Sequence, residues 1–79
     1  MKISVKLIAT YRSLLPPGTV GNTIEIEIPR ETSVAQVLSR FEVPMDDSSV
    51  IVLNGLTVDL NTPVSEGDII TAFSAIAGG

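Results

Sequence analysis

The sequence lacks the side chains that most often carry out catalysis. Its 79 residues include no cysteine and no histidine. Without cysteine the chain has no disulfide, no thiolate nucleophile and no zinc–sulfur site. Without histidine it lacks the usual proton-transfer group near neutral pH and the commonest metal ligand, and no Ser-His pair can form. We therefore expect no self-contained active site, no metal site and no bound cofactor.

Positive charge and long apolar runs are also scarce. Five lysines and arginines stand against nine aspartates and glutamates, which gives a formal net charge of −4. Because no basic stripe is present, nucleic acid is not an expected partner. No apolar run approaches the length of a membrane span, and the first residues lack the pattern of a secretory signal, so no membrane association and a cytoplasmic location are expected.

The residues that are present indicate one small globular domain. Hydrophobic residues make up 44% of the chain, enough for a modest core. Two stretches, KISVKLIA and TIEIEIP, alternate between apolar and polar residues, as half-buried strands do. Between them, about residues 10–22, the prolines and glycines of LPPGTVGN predict a long turn. If the two strands pair antiparallel, Glu25 and Glu27 can lie near Lys2 and Lys6.

In the middle of the chain the spacing of the apolar residues changes from the alternation of a strand to the period of a helix. In TSVAQVLSRF the apolar residues form one helical stripe: Val34, Val37, Leu38 and Phe41. Ser33 and Gln36 have the spacing of a capping box, and Pro44 closes the segment. Then SVIVLNGLTVD predicts two strands around an Asn-Gly turn, SEGD a second turn, and IITAF a last strand. The order β, β, α, β, β, β favours an α+β fold, a mixed sheet with one main helix packed on one face.

Two further features could carry chemistry. Asp46 and Asp47 are adjacent, but a metal or acid–base site would need more ligands, so a solvated loop is the interpretation. The chain ends SAIAGG, which we assign as a flexible tail over residues 75–79 that follows a domain of residues 1–74. Two glycines suit a frayed end, and they equally suit a terminus that threads a narrow channel and presents its carboxylate to another enzyme.

Three short segments in this order resemble the MoaD/ThiS family of ubiquitin-like sulfur carriers: VLNG at residues 52–55, EGD at residues 66–68 and AGG at residues 77–79. The resemblance extends over essentially the whole chain and implies the β-grasp fold. It also implies that an E1-like adenylyltransferase (MoeB/ThiF-like) uses ATP and magnesium to adenylate Gly79, which Gly78 precedes. A sulfur donor protein then converts the acyl-adenylate into a thiocarboxylate.

The receiver of the sulfur differs within the family. In MoaD-like members it is the molybdopterin synthase large subunit (MoaE-like), and in ThiS-like members the sulfur enters the thiazole of thiamine. The long insert between the first two strands and the opening IATYRSLLPPG favour the MoaD side. The tail departs from the usual F-P-P-V-A-G-G pattern because it lacks the prolines, so a paralogue tied to a tungsten enzyme fits as well.

The resemblance also implies which residues contact a partner. Ile70 and Ala72 would face the helix, whereas Phe73 would lie on the open side of the sheet, near Ile76 and Ala77 of the tail. Phe73 then either binds the partner or simply covers the end of the core. Two other functions stay open: a ubiquitin-like modifier that forms isopeptide bonds through Gly79, and a plain interaction domain with an idle tail.

Overall fold

A mixed sheet forms one layer of the molecule, and a short helix covers one of its faces. The computed structural model describes residues 1–76. Its elements in chain order are β1 (Lys2–Leu7), a 3₁₀ helix (Ala9–Leu14), β2 (Thr23–Glu27), α1 (Val34–Ser39), β3 (Ser49–Leu53), β4 (Leu56–Thr57) and β5 (Ile69–Ser74). The strands lie in the order β2-β1-β5-β3-β4. The first and last strands, β1 and β5, pair in parallel, and the other neighbours are antiparallel.

The hydrophobic core lies between α1 and the facing side of the sheet. The four residues of the predicted stripe are buried, but α1 ends at Ser39, before Phe41 and five residues short of Pro44. The inward residues of β1 and β5 and four residues of the connections complete the buried core: Ile3, Val5, Leu7, Leu15, Ile28, Val43, Val64, Ile70 and Ala72. The capping box is confirmed at the start of α1. The Gln36 amide donates to Ser33 Oγ at 3.2 Å, and the Ser33 amide donates to Gln36 Oε1 at 2.8 Å.

The connection between β1 and β2 differs from the sequence prediction. A long turn was expected over about residues 10–22, but its first part is the 3₁₀ helix Ala9–Leu14. Leu15 behind it is buried, and Tyr11 and Leu14 pack against the core. A single short 3₁₀ segment has no repeated apolar period, so tertiary packing rather than local sequence determines it.

The pairing of β1 with β2 confirms one of the expected charge neighbours. Lys2 lies directly opposite Glu27, whereas Glu25 lies opposite Ser4 and Lys6 opposite Thr23. Glu25 is therefore only a diagonal neighbour of the two lysines. The side-chain period of two along each strand keeps all six residues on the same face, away from the core.

Candidate functional site

The end of β5 leads directly into the segment that the sequence marks as functional. Ser74 is the last residue of β5 and lies opposite Ser49 of β3. One residue later the Ala75 amide still donates to the Ser48 carbonyl, at 2.8 Å. Ile76 is 61% exposed, and its amide is bonded to Ser74 Oγ at 3.1 Å. The chain therefore leaves the sheet and becomes exposed to solvent at Ile76. The predicted site residues Ala77, Gly78 and Gly79 lie outside the described residues.

Phe73 lies on the face of the sheet opposite the helix, as predicted. Ile70 and Ala72 are fully buried on the helix side, which confirms the assignment of the two faces of β5. Phe73 is half-buried and lies opposite Val50 of β3. Within residues 1–76, neither the buried core nor the side chains packed against it include Phe73. Its ring therefore covers the open face rather than the end of the core.

The open face divides into an apolar half and a charged half. On β3 and β5 it presents Val50, Val52, Ile69 and Phe73, of which Ile69 is 46% exposed. On β1 and β2 it presents Lys2, Lys6, Glu25 and Glu27. An apolar area bordered by charges of both signs is the usual composition of a protein-binding surface. Phe73 lies in the apolar half, three residues before Ile76, where the chain leaves the sheet.

The turn before β5 determines where this strand starts. Gly67 has φ +83°, a backbone conformation that glycine adopts without a steric penalty. Its amide donates to the Lys2 carbonyl at 2.8 Å, and the Lys2 amide donates to the Glu66 carboxylate at 3.1 and 3.2 Å. The Ser4 amide then donates to the Asp68 carbonyl at 2.9 Å. Glu66, Gly67 and Asp68 thus tie the start of β5 to the start of β1.

The acidic pair Asp46 and Asp47 is exposed in the loop between α1 and β3. Asp46 Oδ1 accepts from the hydroxyl and the amide of Ser48, and these hydrogen bonds lower the pKa of that carboxyl. A surface groove of about 430 Å³ runs beside this loop, lined partly by Met45, Val58 and Leu60. Among residues 1–76, no three acidic side chains come together as metal ligands.

Tyr11 and Ser48, which the sequence did not single out, lie at the base of the tail. The Tyr11 hydroxyl is 2.6 Å from Ser49 Oγ and donates to the Ser48 carbonyl at 3.3 Å. Ser48 is thus contacted both by the 3₁₀ helix and by Ala75. The stretch ATYRSL shows no periodic pattern that could have predicted this contact. Arg12, next in the chain, donates to the Thr19 carbonyl at 2.7 Å.

Comparison with known proteins identifies the family of this chain and similar solved structures. The model of the ThiS family matches residues 5–79. No curated protein sequence matches the chain. Three solved structures are similar. Small archaeal modifier protein 1 of H. volcanii is 16% identical, with 95% of this chain and 98% of that chain covered and a TM-score of 0.76. Molybdopterin converting factor, subunit 1, of Pyrococcus furiosus is 22% identical, with 95% of this chain and 98% of that chain covered and a TM-score of 0.75. The complex of subunits 1 and 2 of molybdopterin-converting factor of Helicobacter pylori 26695 contains a chain that is 19% identical, with 100% of both chains covered and a TM-score of 0.64.

The structural likeness and the family match carry different information. At these identities the solved structures show that the fold is shared, and no more. Within residues 1–76, no helix has the length and the apolar composition needed to cross a membrane. The family match extends over nearly the whole chain, including VLNG, EGD and AGG. The chain therefore belongs to the ThiS family, in the MoaD/ThiS group of ubiquitin-like sulfur carriers with the β-grasp fold.

Proposed function

We propose that the protein is a sulfur carrier whose Gly79 carboxylate is activated and converted into a thiocarboxylate by partner enzymes. An E1-like adenylyltransferase (MoeB/ThiF-like) would use ATP and magnesium. The carboxylate attacks the α-phosphate of ATP, pyrophosphate leaves, and an acyl-adenylate forms. A sulfur donor protein then supplies sulfur at the oxidation level of sulfide, which attacks the carbonyl carbon; AMP leaves, and the thiocarboxylate forms. The chain itself holds no cofactor in this scheme and contributes the carrier terminus and the docking surface.

The observation that carries this proposal is the family match through AGG at residues 77–79, which only two residues separate from the end of β5 in the sequence. A carboxylate is unreactive towards sulfur until another enzyme activates it, so a carrier must present its end to a partner. The open face beside β5 supplies an apolar surface for that partner, with Phe73 as the largest side chain and Ile76 exposed next to it. Ala77 would enter the partner together with the two glycines.

The destination of the sulfur is proposed to be molybdopterin or its tungsten counterpart. The receiver would be a MoaE-like large subunit of molybdopterin synthase. The structural similarity to subunit 1 of molybdopterin-converting factor, in one case bound to subunit 2, supports this choice. A ThiS-like role in thiazole formation uses the same activation chemistry. The two roles differ only in which receiver consumes the thiocarboxylate.

The decisive experiment is intact-mass analysis after incubation with ATP, magnesium, the E1-like enzyme and a sulfur donor. We expect one oxygen of the Gly79 carboxylate to be replaced by sulfur, and fragmentation should place the change on the last residues. Oxidation of Met1 or Met45 adds almost the same mass, so the position of the change matters. A Gly79 deletion is the matched control and should show no change.

An unchanged mass, while the same enzyme and donor load a known carrier, would overturn the proposal. Adding either receiver to the loaded protein then assigns the pathway. The MoaE-like subunit should restore the original mass, with its substrate converted. Consumption by a thiazole synthase alone would assign the ThiS-like role.

A second function is favoured by the structural similarity to small archaeal modifier protein 1. In that function the activated Gly79 forms an isopeptide bond with a lysine of another protein. The activation step is shared, so the mass experiment does not separate the two. Covalent conjugates that carry a Gly-Gly remnant on lysine, and that disappear with the Gly79 deletion, would assign the modifier role.

A further inference from the structure

Three segments that are distant in sequence meet at the carbonyl group of Ser48. One is the loop between α1 and β3, to which Ser48 belongs. The second is the chain just after β5, whose Ala75 amide donates to this carbonyl at 2.8 Å. The third is the 3₁₀ helix, whose Tyr11 hydroxyl reaches the same oxygen at 3.3 Å. The Ser48 carbonyl is thus an acceptor shared between the β1–β2 connection and the base of the tail.

Tyr11 is itself held firmly on the body of the fold. Its ring is half-buried and packs against the core. Its amide donates to the Ile8 carbonyl at 3.1 Å, and the Ile8 amide donates to Ala72 of β5 at 3.3 Å. The hydroxyl also meets Ser49 Oγ at 2.6 Å. These contacts place the hydroxyl at a defined position relative to β5, from which it holds the start of β3.

The chain leaves the sheet directly after this contact. The Ala75 amide bonds to the loop before β3, but the amide of Ile76 turns back to Ser74 Oγ instead. Ala75 to Ser48 is therefore the last backbone hydrogen bond from the β5 side to the β3 side within residues 1–76. Ser48 is therefore the partner of the last residue after β5 that is still bonded to the β3 side within residues 1–76.

We propose that Tyr11 is a positioning residue for the tail: through Ser48 and Ser49 it fixes the point at which the chain leaves the sheet. This inference rests on the proposed function, because the tail must bring Gly79 to a partner's active site. A terminus tethered at Ala75 samples a smaller volume than one whose last strand frays. The local concentration of its carboxylate at the partner's active site is higher for that reason.

The first test needs no partner. Amide hydrogen exchange of Ala75, followed by NMR, is compared between the wild type, Tyr11→Phe and Ser13→Ala. Loss of the Tyr11 hydroxyl should speed exchange at Ala75 about threefold to tenfold, the effect of one net hydrogen bond. Ser13 is the matched control, since its hydroxyl lies on the same 3₁₀ helix but donates to the Thr10 carbonyl. Unchanged exchange at Ala75 in Tyr11→Phe would overturn the proposal.

The second test measures adenylation by the E1-like enzyme at varied carrier concentration. The docking face is unaltered in Tyr11→Phe, so KM for the carrier should stay the same while kcat falls about threefold to tenfold. A purely structural role would instead lower the melting temperature and leave kcat of the folded protein unchanged. That result, or a rise in KM alone, would overturn the positioning role. If the wild type is not adenylated, the proposed function fails, whereas the exchange experiment still decides whether Tyr11 holds the base of the tail.

Discussion

The side chain of Asn54 joins the turn after β3 to Asp68 at the start of β5. Asn54 Nδ2 donates to Asp68 Oδ1 at 3.0 Å, and Asn54 Oδ1 accepts from the Ile69 amide at 2.9 Å. Asp68 Oδ2 in turn accepts from the Ser65 amide at 2.7 Å. The segments VLNG and EGD, which carry the family resemblance together with AGG, are therefore in direct contact. They define the start of the strand that leads to the tail.

Replacing Asn54 by alanine should lower the free energy of unfolding by about 1–3 kcal/mol, because both side-chain hydrogen bonds are lost. The backbone adds to the cost, since Asn54 has φ +52°, a conformation that asparagine tolerates better than alanine. Urea denaturation measures the change. Asn54→Gly removes the bonds without the strain and should be less damaging. Asn61→Ala, in the next loop, should leave stability unchanged. A wild-type midpoint for Asn54→Ala would contradict this account.

Removing the cap of α1 should also destabilise the fold. Ser33→Ala leaves the Gln36 amide without its side-chain acceptor and should cost about 1 kcal/mol in the free energy of unfolding. Ser39→Ala is the matched control in the same helix, because its hydroxyl only donates to the Gln36 carbonyl at 2.8 Å on the exposed side. Equal effects of the two variants in urea denaturation would argue against the cap.

Phe73→Ala should weaken binding to the proposed MoaE-like large subunit while the protein stays folded. An aromatic side chain at the centre of an interface typically contributes about 2 kcal/mol, which corresponds to roughly a thirtyfold rise in Kd. Isothermal titration calorimetry measures Kd, and circular dichroism checks the fold. Val20→Ala serves as the control because Val20 is 93% exposed in the β1–β2 connection, outside the open face. An unchanged Kd for a folded Phe73→Ala protein would remove Phe73 from the interface.

Acid should weaken the loop between α1 and β3 through Asp46. The hydrogen bonds from Ser48 hold its pKa below the ordinary value of 3.8. A lowered pKa means that the stabilising contribution is fully present above the ordinary value and is lost as the pH falls through the lower, folded value. Asp46→Asn should therefore differ from the wild type in denaturation midpoint near neutral pH, and the difference should shrink below about pH 4. Asp47→Asn is the control and should keep the wild-type acid response. A difference that is independent of pH would refute the role of the Asp46 charge.

Much of the fold could be predicted because its signals are local. The alternation in KISVKLIA and TIEIEIP assigns two strands and their buried faces, since successive side chains of a strand point to opposite sides. Ser33 and Gln36 mark the start of α1 because the two bonds of a capping box lie within four residues of each other. The 3₁₀ helix was missed because its residues have no such short-range pattern.

By itself, the sequence determined which segments are strands and, through the alternation of apolar and polar residues, which face of β1 and of β2 is buried. Only the tertiary structure decided that β5 lies between β1 and β3, parallel to β1, which brings Glu66 to Lys2 and Tyr11 to Ser48. These contacts join residues that lie 64 and 37 positions apart. No local pattern in either segment marks these residues for such a contact, so only the packing of the whole chain brings them together.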